Sequence, residues 1–148
     1  MRRFAILLIA GLVLAGCSKS HQAPSGRWIG HFESPSVMVV AWLEISPQGD
    51  VRVSAPDLLE PGELNDEQRA VAHRRLANEL YDGWGSVQPR RYDFDGHIFR
   101  KQGGVAPQME WNPHTKQMKL VFYFGMQRSM HIAMTPVKEF TDDPWLGE

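Results

Sequence analysis

Val37-Met38-Val39-Val40-Ala41-Trp42-Leu43-Glu44-Ile45 is apolar at every position but Glu44 and rich in β-branched side chains. Such a run favours a strand, and because alternate residues of a strand point to opposite faces, both faces of this one must be covered. Pro47-Gln48-Gly49-Asp50 turns the chain into a shorter strand, Val51 to Ala55, with Val51, Val53 and Ala55 on one side. Upstream, Trp28, Gly30 and Phe32 alternate with Arg27, Ile29 and His31, and Ser34-Pro35-Ser36 separates this first strand from the second.

After a loop containing Pro and Gly the period changes. Asn65 followed three residues on by Gln68 has the spacing of a capping box, and Asp66 and Glu67 suit a first helical turn. Leu76, Leu80, Trp84, Ala77, Ala70 and Tyr81 fall on one arc at about 100° per residue, whereas Glu67, Arg74, Arg75, Asn78, Glu79 and Asp82 lie elsewhere. One amphipathic helix is expected, with Val71 off its apolar arc and Gly83 as its stop.

Strands resume with Arg90 to Phe94 and His97 to Lys101, joined by Asp95-Gly96, a type I′ hairpin signal. Gly103-Gly104 breaks the chain before Gln108 to Trp111, and Asn112-Pro113-His114-Thr115 turns it into Met118 to Phe124. Ser129 to Thr135 places Met130, Ile132 and Met134 on one face. About eight hairpin-linked strands leave two sheet edges to dispose of, and closure into a small antiparallel barrel removes both. The fold class expected is therefore mainly β: a barrel of about eight strands, with one helix after the third strand capping a mouth or lying on the wall. A two-sheet sandwich is the alternative.

The amino terminus has a different character. Arg2 and Arg3 precede the uncharged apolar run Phe4 to Leu14, then small residues and the sole cysteine, Cys17. That is the layout of a secretory signal peptide, shorter than the roughly 20 apolar residues a spanning helix needs. Leu14-Ala15-Gly16-Cys17 resembles the lipobox of bacterial lipoproteins. The resemblance implies a diacylglycerol thioether on Cys17, cleavage before it and acylation of the new amino terminus. Because Ser18, not aspartate, follows the cysteine, it further implies the outer membrane, with the domain in the periplasm. Each buried methylene contributes about 0.8 kcal/mol, so such an anchor holds stably. An ordinary secretory signal with an incidental cysteine is the plainer alternative.

The chain is thus expected to comprise a signal peptide (1–16), a lipidated cysteine and polar tether (17–25), and one β-rich domain (26–148). The whole sequence carries a formal charge of −1, and loss of Arg2 and Arg3 leaves the mature chain more acidic, which argues against a nucleic-acid partner.

Gly26-Arg27-Trp28 is similar to the Gly-x-Trp that opens the first strand of lipocalins, eight-stranded barrels that bind apolar small molecules. In that family, however, the helix follows the last strand. What the likeness implies is an apolar pocket lined by residues such as Trp28, Phe32, Met118, Phe122 and Met130. The competing expectation is a protein-interaction module, an inhibitor or accessory subunit of an envelope complex, working through loops or helix.

An enzyme finds no support, because Gly-x-Ser-x-Gly, a free thiol after lipidation and a phosphate-cradling glycine loop are all missing. His21, His31, His73, His97, His114 and His131 show no metal-ligand spacing, and no cofactor is expected. His73, inside the helical arc, reads as an interface histidine with one hydrogen-bond partner. Met109, Met118, Met126, Met130 and Met134 could suit Cu(I) as thioethers, but they read as core filling. Asp57, Glu60, Glu63, Asp66 and Glu67 bunch before the helix as solvated carboxylates. The enzyme class would revive only if two or more of His31, His73, His131 and these carboxylates converged in one cleft.

Overall fold

The structure, a computed structural model, describes residues 21–101, 103, 107–124, 128–141 and 145. The expected signal peptide (1–16), Cys17, Ser18 to Ser20, Gly104 and Met126 lie outside the described residues. Among those described, no helix is long and apolar enough to cross a membrane.

The strands are β1 (Gly26–Glu33), β2 (Val37–Ile45), β3 (Asp50–Ser54), β4 (Asp57–Leu59), β5 (Arg90–Phe94), β6 (Ile98–Lys101), β7 (Gln108–Asn112), β8 (Gln117–Phe124) and β9 (Arg128–Val137), with α1 (Asp66–Trp84) between β4 and β5. Pairing runs β1-β9-β8-β7-β6-β5-β3-β2 and returns from β2 to β1, so eight antiparallel strands close a barrel instead of splitting into a sandwich. The ninth strand, β4, lies in a stretch read above as loop. It continues the line of β3 along β2, since Trp42 opposes Ser54 and Val39 opposes Asp57 in one unbroken register. Pro56 has no N–H to offer a ladder, so the strand is interrupted there, although its carbonyl still accepts from Val40 N at 3.2 Å.

β2 separates two apolar clusters. Val39, Ala41, Leu43 and Ile45 face the barrel interior with Trp28, Val51, Phe99, Met109, Leu120 and Ile132. Met38, Val40 and Trp42 face outward, where Ala72, Leu76 and Leu80 of α1 cover them together with Ile29 of β1. The helix therefore lies on the barrel wall. Fully burying each such leucine is worth about 1.5–3 kcal/mol.

The helical stripe is centred differently from the expected arc. Ala72, Leu76 and Leu80, spaced four apart, are buried, whereas Ala70 is exposed and Tyr81 is 59 % exposed. The start is as read: Asn65 Oδ1 accepts from Gln68 N–H at 2.9 Å, and Gln68 Oε1 accepts from Asn65 N–H at 3.0 Å. The end is not, because α1 runs through Gly83 to Trp84 and caps at Gly85 in a right-handed conformation. Arg52 of β3 holds this end, donating to Trp84 O at 2.7 Å and Val87 O at 3.0 Å while its guanidinium lies 4.3 Å from the Trp84 ring. Glu44 anchors Arg52 at 3.2 Å and Arg27 at 2.6 Å, tying three strands to the helix terminus.

The chain beyond β9 adds to the outer layer. Phe140 stacks on Trp42 with centroids 4.4 Å apart, and Trp84 meets Trp42 edge-on at 5.6 Å. The Trp42 indole N–H is buried there with no hydrogen-bond partner among the described residues.

Two substitutions test this packing. A Cβ on Gly30 would come within 2.5 Å of Met134 Sδ and 2.8 Å of the Ala133 carbonyl oxygen, so Gly30→Ala should destabilise by about 1–3 kcal/mol or more in urea denaturation. Arg52→Met, which removes charge-assisted bonds to two helix-end carbonyls, should cost roughly 2 kcal/mol in the same measurement.

Candidate functional site

The barrel interior is occupied by its own side chains. Phe99, Met109, Leu120 and Ile132 are fully buried at its centre. Trp28, Met118 and Met130, expected around an apolar pocket, are buried in the same cluster, and Phe32 and Phe122 pack half-buried against it. The five do not share one mouth. Trp28 opposes Pro136 and Met118 opposes Met134 toward one end, whereas Phe122 opposes Met130 toward the other. The late methionines within the described residues, Met109, Met118, Met130 and Met134, all belong to this interior cluster.

The depressions lie outside. One groove, of ≈ 440 Å³, runs between the β1–β2 turn, the Pro61–Leu64 loop and the first turns of α1, lined by Glu33, Ser34, Pro35, Met38, Glu63, Leu64, Arg69 and His73 among others. Backbone bonds build its floor, with Glu60 N–H donating to Ser36 O at 2.8 Å and Gly62 N–H to Pro35 O at 3.0 Å. A second, of ≈ 390 Å³, lies at the opposite end of the barrel, on the outside of β6, β7 and β8, between His97, Glu110, Trp111, His114 and Lys119. Neither is lined by the five residues expected to hold an apolar ligand.

The first groove is where histidine and loop carboxylate converge, through His73 and Glu63. Glu33 organises it: its carboxylate accepts from Arg69 Nε at 2.7 Å and lies 3.1 Å from His73 Nε2. The other flank of His73 is the Trp145 ring, stacked at 3.8 Å with planes 8° apart. Trp145 Nε1–H donates to His73 O at 3.4 Å, and its ring also meets His31 at 4.9 Å. No hydroxyl or thiol is hydrogen-bonded to the His73 imidazole among the described residues. The Glu33–Arg69–His73 group ties α1 to β1 and gives the groove a polar wall.

Of the other expected histidines, His31 reaches this cluster only through the Trp145 ring and His131 stands apart. His131 lies 3.0 Å from the Ser129 hydroxyl, and His31 meets Trp145, although their strands pair. Among the described residues no cluster of three or more metal-ligating acids, histidines or cysteines forms. Sequence reading missed Glu33, Arg69 and Trp145. They meet across separations of 36 to 72 residues, which no local spacing reveals.

Among the described residues, two groups titrate away from their ordinary values. Burial pushes the Tyr92 phenol up. Backbone N–H groups of Ile98 and His97 and the Arg100 guanidinium hold the Asp95 carboxyl well below the usual carboxylate range. This carboxylate also corrects the hairpin type. Type I′ needs positive φ at both central residues, yet here only Gly96 has it, at 103°, and the Asp95 side chain closes the turn.

The chain matches no family model, no curated protein and no solved structure.

Because Asp95 titrates below its ordinary value, the stability it contributes is full at neutral pH and is lost as pH falls through the ordinary carboxylate range toward its folded value. Asp95→Asn should therefore lower the melting temperature at pH 7, and the gap to the parent should close as pH drops below about 3.

Proposed function

We propose that this chain is a non-enzymatic binding module, anchored by lipid on Cys17 to the bacterial outer membrane and facing the periplasm, that engages an envelope protein on the outside of its barrel. The filled interior is the observation that carries this reading. A ligand inside would have to displace Phe99, Met109, Leu120 or Ile132 from full burial. The groove between the β1–β2 turn and α1 offers instead a concave surface with a polar wall and the Glu63 carboxylate in its lining, Asp57, Glu60, Asp66 and Glu67 following close by in the chain. These carboxylates suit a basic segment of a partner, since complementary charge steers encounter and excludes wrong partners.

A second reading keeps the apolar small molecule. It is favoured by Phe32 and Phe122, which stay half-buried where Phe122 opposes Met130. Trp28 and Met118 would then have structural roles only.

Native mass spectrometry of the detergent-extracted protein separates these readings. The expected species carries acyl chains and no small molecule, and a Cys17→Ser protein leaves the membrane fraction. A stoichiometric apolar ligand would favour the second reading, and a mature mass without acyl chains would sink the anchoring. Once a partner is identified by cross-linking, Glu63→Lys with Glu67→Lys should weaken its binding roughly tenfold while leaving the circular dichroism unchanged.

A further inference from the structure

We infer that the barrel stands on the lipid surface on one particular end, the end bearing the β2–β3 turn and the β5–β6 hairpin, with the groove beside α1 turned away from the bilayer. The inference rests on the lipidation of Cys17 proposed above, and two independent features of the molecule lead to it.

The first is the tether. Residues leading into β1 do not hang free of the barrel. Ala23 packs against the interior cluster, and the segment from His21 to Ala23 shares a depression with the β2–β3 turn, Pro47 to Gly49, and with Arg91 and Phe94 of β5. His21 lies over the β5–β6 hairpin, its ring only 3.1 Å from where a Cβ on Gly96 would sit. Only Ser18, Lys19 and Ser20 separate His21 from Cys17. Four steps of an extended chain reach at most about 14 Å. The diacylglycerol carbons sit in the membrane, so this end of the barrel is held against the headgroups. The opposite end is a strand length further out, about 20 Å for tilted strands.

The second feature is charge. The tethered end bears Arg91, Lys116 and Lys138 alongside the acids Asp50, Asp95 and Glu139, so the two signs balance there. The far end gathers Glu33, Asp57, Glu60, Glu63, Asp66 and Glu67 around the start of α1 against Arg69 and Arg128, so the surplus of carboxylates lies there. Anionic headgroups repel that far end more than the balanced one. The field therefore agrees with the tether, and the groove beside α1 is presented to the periplasm.

The test uses the acylated mature protein, beginning at Cys17 with its thiol consumed, reconstituted in phosphatidylethanolamine–phosphatidylglycerol vesicles. Single additions Gln48→Cys and Thr115→Cys report the tethered end, and Ser36→Cys and Glu67→Cys the far end. Each carries an environment-sensitive fluorophore, and quenching is measured with headgroup nitroxide lipids. Quenching several-fold stronger at positions 48 and 115 than at 36 and 67 is the expected result. Equal quenching at both ends, or the reverse order, on protein whose intact mass shows acyl chains overturns the orientation alone. An intact mass without acyl chains overturns the anchoring reading and this orientation with it. Near-ultraviolet circular dichroism of each variant confirms that the barrel is intact.

Discussion

Burial of β2 on both faces is the constraint from which the rest of the molecule follows. A strand that is apolar throughout cannot face water on either side. One face closes the barrel, through Val39, Ala41, Leu43 and Ile45. The other demands a cover, and Leu76 and Leu80 of α1 supply it with Phe140 from the chain after β9. The placement of α1 on the wall, the docking of the carboxyl-terminal segment and the Glu44–Arg52 tie to the helix end are consequences of that one demand.

The same demand directs where binding can occur. A barrel that spends its inward apolar side chains on filling its own centre has no interior left to offer, and its outer wall is partly covered by α1. What stays accessible is the rim at each end. Glu33 pairs with Arg69 and His73 in the groove wall, which leaves Glu63 as the other carboxylate of its lining.

Local signals were legible in the sequence where one neighbour decides the outcome. The Asn65–Gln68 capping box forms as spaced, because both partners lie within one turn. The eight barrel strands follow the period-two pattern, because each has an inward face. Signals failed where a distant partner decides. Gly83 does not stop α1, because Arg52 and the packing of Trp84 on Trp42 hold the last turn. One failure is local: Asp95-Gly96 does not make a type I′ turn, because the Asp95 carboxylate binds the N–H groups of His97 and Ile98, a competing bond that the dipeptide rule does not weigh. Tyr81 looked inward on the helical wheel, yet α1 meets the barrel along Ala72, Leu76 and Leu80, and Tyr81 stays 59 % exposed with its ring centroid 6.4 Å from that of Trp42, edge-on.

From sequence alone came the strand periodicity, the position of the helix and the need to cover both faces of Val37–Ile45, because these depend on side-chain pattern within a short window. The expected lipid site at Cys17 is likewise a reading of four consecutive residues. Only the tertiary structure decided that the barrel centre is filled, that α1 lies on the wall and that Glu33, Arg69, His73 and Trp145 meet. Volume and long-range contact are properties of all the strands packed together, and no window of sequence contains them.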